Sequence, residues 1–172
     1  MKAALLIGGS SVVAPYNPKD YDIYCVINLG IVEVGEAGCD IWFSGLNHNH
    51  HYCKGEGKKW KKMVRTSVED NLRFEYPKEW NSRVEFANTR AYKLLRDRVG
   101  RPKKPTTGLA AINELLVRGY EVYTTGFDFY TTPNRFTKGG VWKAHDLEKE
   151  KEIYEGWMDK GQVVELPCPS YT

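Results

Sequence analysis

The chain has 172 residues, 41% of them hydrophobic and 27% charged. That composition belongs to a folded globule and argues against a disordered or collagenous chain, and the length suits one well-buried α/β domain rather than two with a linker. The 25 basic residues exceed the 22 acidic ones by 3, an excess too mild to indicate a nucleic-acid partner by itself.

The apolar run Ala3 to Ile7 falls far short of the roughly 20 residues a membrane helix needs, and no signal-peptide pattern accompanies it. The expectation is a cytoplasmic, unanchored protein. Cys25, Cys39, Cys53 and Cys168 contain no C-x-x-C pair and read as free thiols, two of them in strands.

In chain order, Lys2 to Ile7 is a continuous apolar run that breaks at Gly8-Gly9-Ser10-Ser11, which predicts a buried strand entering a tight turn. Asp22 to Leu29 is β-branched and aromatic and reads as a second strand, Asp40 to Ser44 as a third. Gly45 to Met63 reads as a loop rich in glycine, lysine and histidine, with a short helix over Lys58 to Met63. Ala91, Leu94, Leu95 and Val99 recur at helical spacing and predict a helix from about Asn88 to Arg98. Thr106 or Thr107 can cap a further helix with Leu109, Ile112 and Leu116 on one face, stopped by Gly119. Tyr120 to Thr125 is a strand, Asp146 to Asp159 a helix packing Leu147, Ile153, Tyr154 and Trp157, and Gln162 to Leu166 a last strand.

Strands alternating with helices predict an α/β fold: a single Rossmann-like three-layer domain over residues 1–172 with a mainly parallel sheet. In such sheets the ligand sits outside the carboxyl ends of the strands. The candidate segments are therefore Gly8 to Ser11, Asn28, Ser44 to His51, Thr106 to Gly108 and Gly126 to Tyr130. Thr106, Thr107 and Gly108 put hydroxyls and bare backbone N–H groups at a helix N-terminus, which suits a phosphate or carboxylate. The same residues also read as an ordinary threonine cap.

The run from Pro105-Thr-Thr-Gly through an apolar helix to Glu121-Val and Gly126-Phe-Asp-Phe-Tyr130 resembles the small sialylmotif of the sialyltransferases. His145-Asp-Leu-Glu-Lys-Glu150 is similar to their very small motif, H-x-x-x-x-E, and Leu6-Ile-Gly-Gly-Ser-Ser with Asp20 to Asn28 is similar to the large one. Together the three cover about half of the chain in the family's order. The resemblance implies a sialyltransferase-like variant of the GT-A fold and a metal-independent glycosyltransferase, taking a CMP-activated sugar and a hydroxyl acceptor, with no further cofactor. It implies that Gly8, Gly9 and Ser10 form the glycine turn, that Asn28 bonds the nucleotide phosphate or ribose, and that Thr106, Thr107 and Gly108 contact nucleotide or donor. Gly126, Phe127 and Asp128 would line the cytidine pocket, Tyr130 would reach the phosphate, and Asn47 or Asn49 would supply an amide contact. Gly9 stands where relatives usually carry an Asn, so one polar contact is lost or supplied by Ser10.

His145 would be the general base. Transfer needs a group to take the acceptor hydroxyl's proton while phosphate leaves, and a histidine just before a helix N-terminus is well suited to accept it. Five residues correspond to about 140° of extra rotation on a helix, so His145 and Glu150 are expected on different faces, with Glu150 structural.

Other clusters admit other chemistry. Asp20-Tyr-Asp22 matches the D-x-D pattern that holds a metal on a diphosphate, which a monophosphate donor does not require. His48-Asn-His50-His51-Tyr-Cys53 has zinc-type ligands at adjacent spacings, and reads alternatively as a cleft lining. Lys54, Lys58, Lys59, Lys61 and Lys62 surround Trp60 and are expected beside the cleft, as a grip on an anionic acceptor or nucleic acid, or as a solvated loop. The competing functions are a nucleotide-binding module of the same fold without transfer, and a transferase acting on nucleic acid. A homo-oligomer is compatible with either.

Overall fold

The computed structural model describes residues 1–45, 59–66, 76–131 and 143–168. Within them lie seven strands and three α-helices: β1 (Lys2–Ile7), β2 (Ile23–Ile27), β3 (Cys39–Ser44), β4 (Trp60–Arg65), β5 (Val84–Phe86), α1 (Thr89–Val99), α2 (Thr107–Val117), β6 (Tyr120–Thr125), α3 (Leu147–Asp159) and β7 (Val163–Glu165). The strands form one sheet in the order β5-β4-β3-β2-β1-β6-β7, and every pairing is parallel. The chain winds outward from β1 to β5 and then returns to the other side of β1. The strand order therefore reverses between β1 and β6, the place where such sheets open a crevice at their carboxyl ends.

The three helices pack on one face. Tyr92, Leu95 and Val99 of α1, Leu109 to Ile112 and Leu115 of α2, and Ile153, Tyr154 and Trp157 of α3 form one core with Ala4, Leu6, Cys25, Phe43, Val64 and Val122 of the sheet. The other face is covered, among the described residues, by shorter pieces: the 3₁₀ turns Pro18–Asp20, Asn28–Glu33 and Lys78–Arg83. They bring Ile31, Val34 and Trp80 against Leu5, Val26, Trp42 and Met63. No described helix is long and apolar enough to cross a membrane.

Where the sequence predicts a helix over Lys58 to Met63, the described residues Trp60–Arg65 form a strand. Trp60 is buried against Trp42 and Trp80, with ring centroids 5.7 and 5.1 Å away, and the Arg83 guanidinium lies 4.0 Å from the centre of its ring. Met63 and Val64 are both buried, one in each core, as a strand covered on both faces requires and an exposed loop helix does not. Tertiary burial overrides the lysine-rich composition. β5 has only three residues and has no counterpart among the sequence expectations. α1 presents Tyr92, Leu95 and Val99 to the core, while Leu94 is 59% exposed.

Caps and charges fix the outer elements. The Asn88 side chain accepts from Ala91 N, 2.9 Å away, at the start of α1. Glu114, buried on α2, accepts from Asn88 N at 2.7 Å and from Arg118 Nε at 2.9 Å. Arg118 Nη2 in turn donates to Glu85 on β5 at 2.6 Å, and Glu85 pairs with Lys62 on β4 at 3.1 Å. This chain of charges ties the sheet edge to the helical layer. Removing the buried carboxylate by Glu114→Ala leaves the Asn88 N–H and the Arg118 Nε–H without their acceptor, and should cost roughly 3 kcal/mol in a urea titration. A loss below about 1 kcal/mol would show that the network is not holding the edge.

Candidate active site

The described parts of the candidate segments meet at the carboxyl edge of the sheet, around the reversal between β1 and β6. Past the strand ends the β1–β6 ladder continues for two further bonds, Gly8 N to Thr125 O at 2.7 Å and Ser10 N to Gly126 O at 2.9 Å. Such close approach needs glycine: a Cβ on Gly8 would sit 2.1 Å from the Gly126 carbonyl oxygen, and Gly126 itself has φ +75°. The Phe127 ring lies between Gly8 and Gly108. A Cβ on Gly8 would come within 2.9 Å of it and a Cβ on Gly108 within 2.6 Å. The bare backbone of Gly108, expected from sequence to admit a ligand, is already occupied on that side by Phe127. Phe127 in turn stacks on Tyr154 at 6.4 Å between ring centres.

Asn28 ends β2 with φ +45°, a left-handed conformation that asparagine tolerates better than most residues. Its Oδ1 accepts from Gly45 N at 3.0 Å and its carbonyl from Trp42 Nε1 at 2.7 Å. Gly45 closes against Thr107, whose Oγ1 would lie 2.0 Å from a Cβ there. Asn28, Gly45 and Thr107 thus form one continuous rim. Ser10 is buried and its hydroxyl oxygen accepts from Val12 N at 3.1 Å, holding the turn that contains Gly9. Beyond β6, Phe129 and Tyr130 both have positive φ, 52° and 63°, and Asp128 Oδ1 accepts from Tyr130 N at 3.1 Å. Burial, with the nearby charges of Glu150 and Asp128, pushes the Tyr130 phenol up, so at neutral pH it is a hydrogen-bond donor.

Thr106, not Thr107, caps α2: its Oγ1 accepts from Leu109 N at 3.3 Å. The same hydroxyl donates to Glu150 Oε2 at 2.6 Å, and Thr106 N donates to Glu150 Oε1 at 2.9 Å. Glu150 is fully buried. Burial raises its carboxyl to about 7, against the Thr106 hydrogen bonds, which favour the charged form.

His145 lies beside this clamp, its Nδ1 2.7 Å from the Lys104 carbonyl oxygen and 3.9 Å from Glu150 Oε1. The expected separation of His145 and Glu150 is therefore overturned. His145 precedes the helix, Asp146 is its N-cap, and only Glu150 follows helical rotation. A carbonyl oxygen only accepts, so Nδ1 carries a proton, and in the neutral imidazole Nε2 holds the lone pair. Glu150 is the site residue that sequence reasoning placed elsewhere, although the H-x-x-x-x-E spacing itself was its signal. Ser44 opens one of the candidate segments, whereas Arg65 had no such signal. The guanidinium and the hydroxyl are buried together at the carboxyl ends of β4 and β3, Nη1 3.5 Å from Oγ.

Other expectations fall away from this edge. Asp22 Oδ2 accepts from Ala3 N at 2.6 Å and Asp20 accepts from Asn17 Nδ2 at 3.0 Å, which puts the D-x-D segment at the amino end of β1 and β2. Lys61 and Lys62 lie in the amino-terminal half of β4 and pair with Asp40 and Glu85 at 2.6 and 3.1 Å, not beside the cleft. Asn47, Asn49, the His48 to Cys53 cluster, Lys54 and Lys58 lie outside the described residues.

No family model matches the chain, and no curated protein matches it by sequence. Solved structures do match by fold. The sialyltransferase CstII from Campylobacter jejuni in complex with the substrate analogue CMP-3FNeuAc superposes with a TM-score of 0.62 at 13% identity, over 99% of this chain and 83% of that one. The sialyltransferase CST-II in complex with a trisaccharide acceptor and CMP gives 0.60 at 13% identity, over 98% and 82%. The alpha-2,3-sialyltransferase from Campylobacter jejuni in apo form gives 0.60 at 15%, over 99% and 76%. The chain shares the fold of these sialyltransferases.

Two outcomes follow from the packing. Gly108→Ala should destabilise by roughly 1–3 kcal/mol, and by clearly less in a Phe127→Leu background, because its clash is with that ring. Gly8→Ala, which clashes with backbone, should gain no such relief; equal behaviour of the two in denaturant titrations would refute the assignment. Glu150 has a second signature, because its carboxyl is raised from 4.5 to about 7. Across that window the folded protein keeps a proton that the unfolded chain has released, so stability falls as pH rises and levels off above about 7. Melting curves of wild type and Glu150→Gln should therefore diverge in that window, wild type losing more, whereas parallel curves would contradict a raised Glu150.

Proposed function

We propose that the chain is an inverting, metal-independent glycosyltransferase that takes a CMP-activated sugar of the sialic acid type and transfers it to a hydroxyl acceptor. The observation that carries this reading is His145, fixed through Nδ1 on the Lys104 carbonyl at 2.7 Å. Its Nε2 is thereby left as the proton acceptor, at the edge of a fold shared with sialyltransferases crystallised with CMP.

In the reaction the acceptor oxygen attacks the anomeric carbon from the face opposite the leaving group. The bond from that carbon to the phosphate oxygen breaks, CMP departs with the electron pair, and the acceptor's proton passes to His145 Nε2. The Glu150 carboxylate, 3.9 Å from Nδ1, then faces a developing imidazolium, a favourable pairing inside a buried site. Thr107 and Gly108 at the start of α2 offer N–H donors to the departing phosphate, and Tyr130 a phenolic hydroxyl. With the Asn28 Oδ1 engaged by Gly45 N, a contact from Asn28 to phosphate or ribose comes from its amide NH2. Gly126, Phe127 and Asp128 would flank the cytidine, near the turn of Gly8, Gly9 and Ser10. A monophosphate leaving group gives a divalent ion no diphosphate to bridge, and the D-x-D carboxylates sit at the opposite end of β2.

The test is a thermal-shift screen of nucleoside monophosphates and sugar nucleotides, with and without EDTA. Selective stabilisation by CMP that chelator leaves unchanged is expected; preference for a diphosphate nucleotide with metal would refute the reading. His145→Ala should lower transfer and donor hydrolysis by roughly 10²–10⁴-fold while CMP affinity stays within about twofold. Activity that survives this change rules His145 out as the base, and CMP binding without turnover in the wild type identifies a nucleotide-binding module instead.

A further inference from the structure

The segments that hold the base carry a concentration of positive charge that the transfer chemistry does not itself need. Residues 103–104 and 143–145 run side by side: Lys104 N donates to Ala144 O at 2.8 Å, Lys104 O accepts from His145 Nδ1 at 2.7 Å, and Lys103 Nζ donates to Lys143 O at 2.6 Å. The Lys103 ammonium is thus fixed on a carbonyl two residues from His145, and Lys143 is exposed on the same turn. Three acidic groups of these segments are already engaged, while Glu148 in the first turn of α3 is exposed and forms no ion pair among the described residues. Asp146 caps α3 through Lys149 N, Glu150 is buried on Thr106 and His145, and Asp97 pairs with Arg101. Among the described residues, neither Lys103 nor Lys143 forms an ion pair.

We propose that the acceptor is an anionic glycan, with a carboxylate or phosphate ester beside the hydroxyl that is glycosylated, and that Lys103 and Lys143 hold that negative group while the hydroxyl faces His145 Nε2. This rests on the transferase reading. The phosphate of the donor has the N-terminus of α2 on the other side of Thr106, so the two lysines are placed for a second anion. Exposed ammonium groups on a turn contribute individually little but steer and orient a charged partner. Attraction of this kind weakens as salt rises.

The experiment uses the full chain with CMP-sialic acid and three acceptors: lactose, sialyl-lactose carrying a carboxylate, and a phosphate monoester of lactose. Wild type is expected to show a lower acceptor KM for one or both charged acceptors than for lactose, with the advantage shrinking at high NaCl. Lys103→Gln with Lys143→Gln should raise the charged-acceptor KM by roughly tenfold, leave the lactose KM and CMP affinity unchanged, and be reversed by Lys103→Arg with Lys143→Arg. The single variant Lys143→Gln, whose ammonium makes no bond among the described residues, keeps the result independent of folding and should raise that KM by about threefold. The acceptor that responds more identifies carboxylate or phosphate as the group held. Lactose used as well as the charged acceptors, or an effect confined to donor KM, overturns the inference and leaves the transferase reading intact. CMP binding with no transfer to either charged acceptor also overturns it, whereas absence of both CMP binding and transfer overturns the transferase reading with it.

Discussion

A single buried carboxylate governs the geometry of this edge of the molecule. Glu150 has no solvent exposure, and burial of an ionisable group is costly unless its oxygens are occupied. Both are: one by the Thr106 amide, the other by the Thr106 hydroxyl. Those bonds fix where α2 begins, because the same hydroxyl caps it through Leu109 N. They also fix α3 against α2. The Glu150 amide donates to Asp146 O at 2.9 Å, so the turn that carries His145 is set one helical step away from the clamp. The helix N-terminus proposed for phosphate and the imidazole proposed as base are consequently positioned by one interaction rather than by two independent loops.

The second constraint is steric. Phe127 fills the space beside Gly8 and Gly108 and rests on Tyr154, whose hydroxyl lies 2.7 Å from Thr124 Oγ1 in the sheet. Glycines that sequence reasoning assigns to ligand approach are required here by protein packing first. One face of each glycine meets Phe127 or Gly126. A glycine at such a position does not by itself distinguish a binding loop from a tightly packed crossing, and the distinction comes only from the residues around it.

How legible the fold was in the sequence depended on how far local signals agreed with burial. β1, β6 and α2 are apolar segments closed by glycine or threonine, and their bounds follow from residues such as Thr106 and Gly119, which has φ +83°. β4 was not legible, because its lysines mask a strand whose Trp60, Met63 and Val64 are buried by partners far away in sequence. The helix α1 was legible from its apolar spacing, but which of the adjacent Leu94 and Leu95 faces inward is selected only by packing on α2 and the sheet, which buries Leu95. At the site, the chain positions of Asn28, Thr106, Phe127, Tyr130 and His145 were legible. Their contacts were not. The pairing of His145 with Glu150 depends on where the helix starts, which is the least certain boundary to read from residues alone.

The two sides of the site differ in how they are built, and this has a consequence for specificity. The side proposed for the nucleotide is made of backbone at strand ends and of glycines closed on Phe127 and Thr107, so its shape is tied to the core and a substitution there perturbs folding. The side nearest His145 is made of lysine side chains on a turn, held by the main-chain bond from Lys104 N to Ala144 O and by the Lys103 ammonium on the Lys143 carbonyl. Exchanging those side chains changes the charge of the turn while leaving in place the Glu150 bonds to Thr106 and the main-chain carbonyl that fixes His145. On the proposed reading, acceptor choice can therefore vary by surface substitution, while the donor-binding segments and the position of His145 stay bound to the fold.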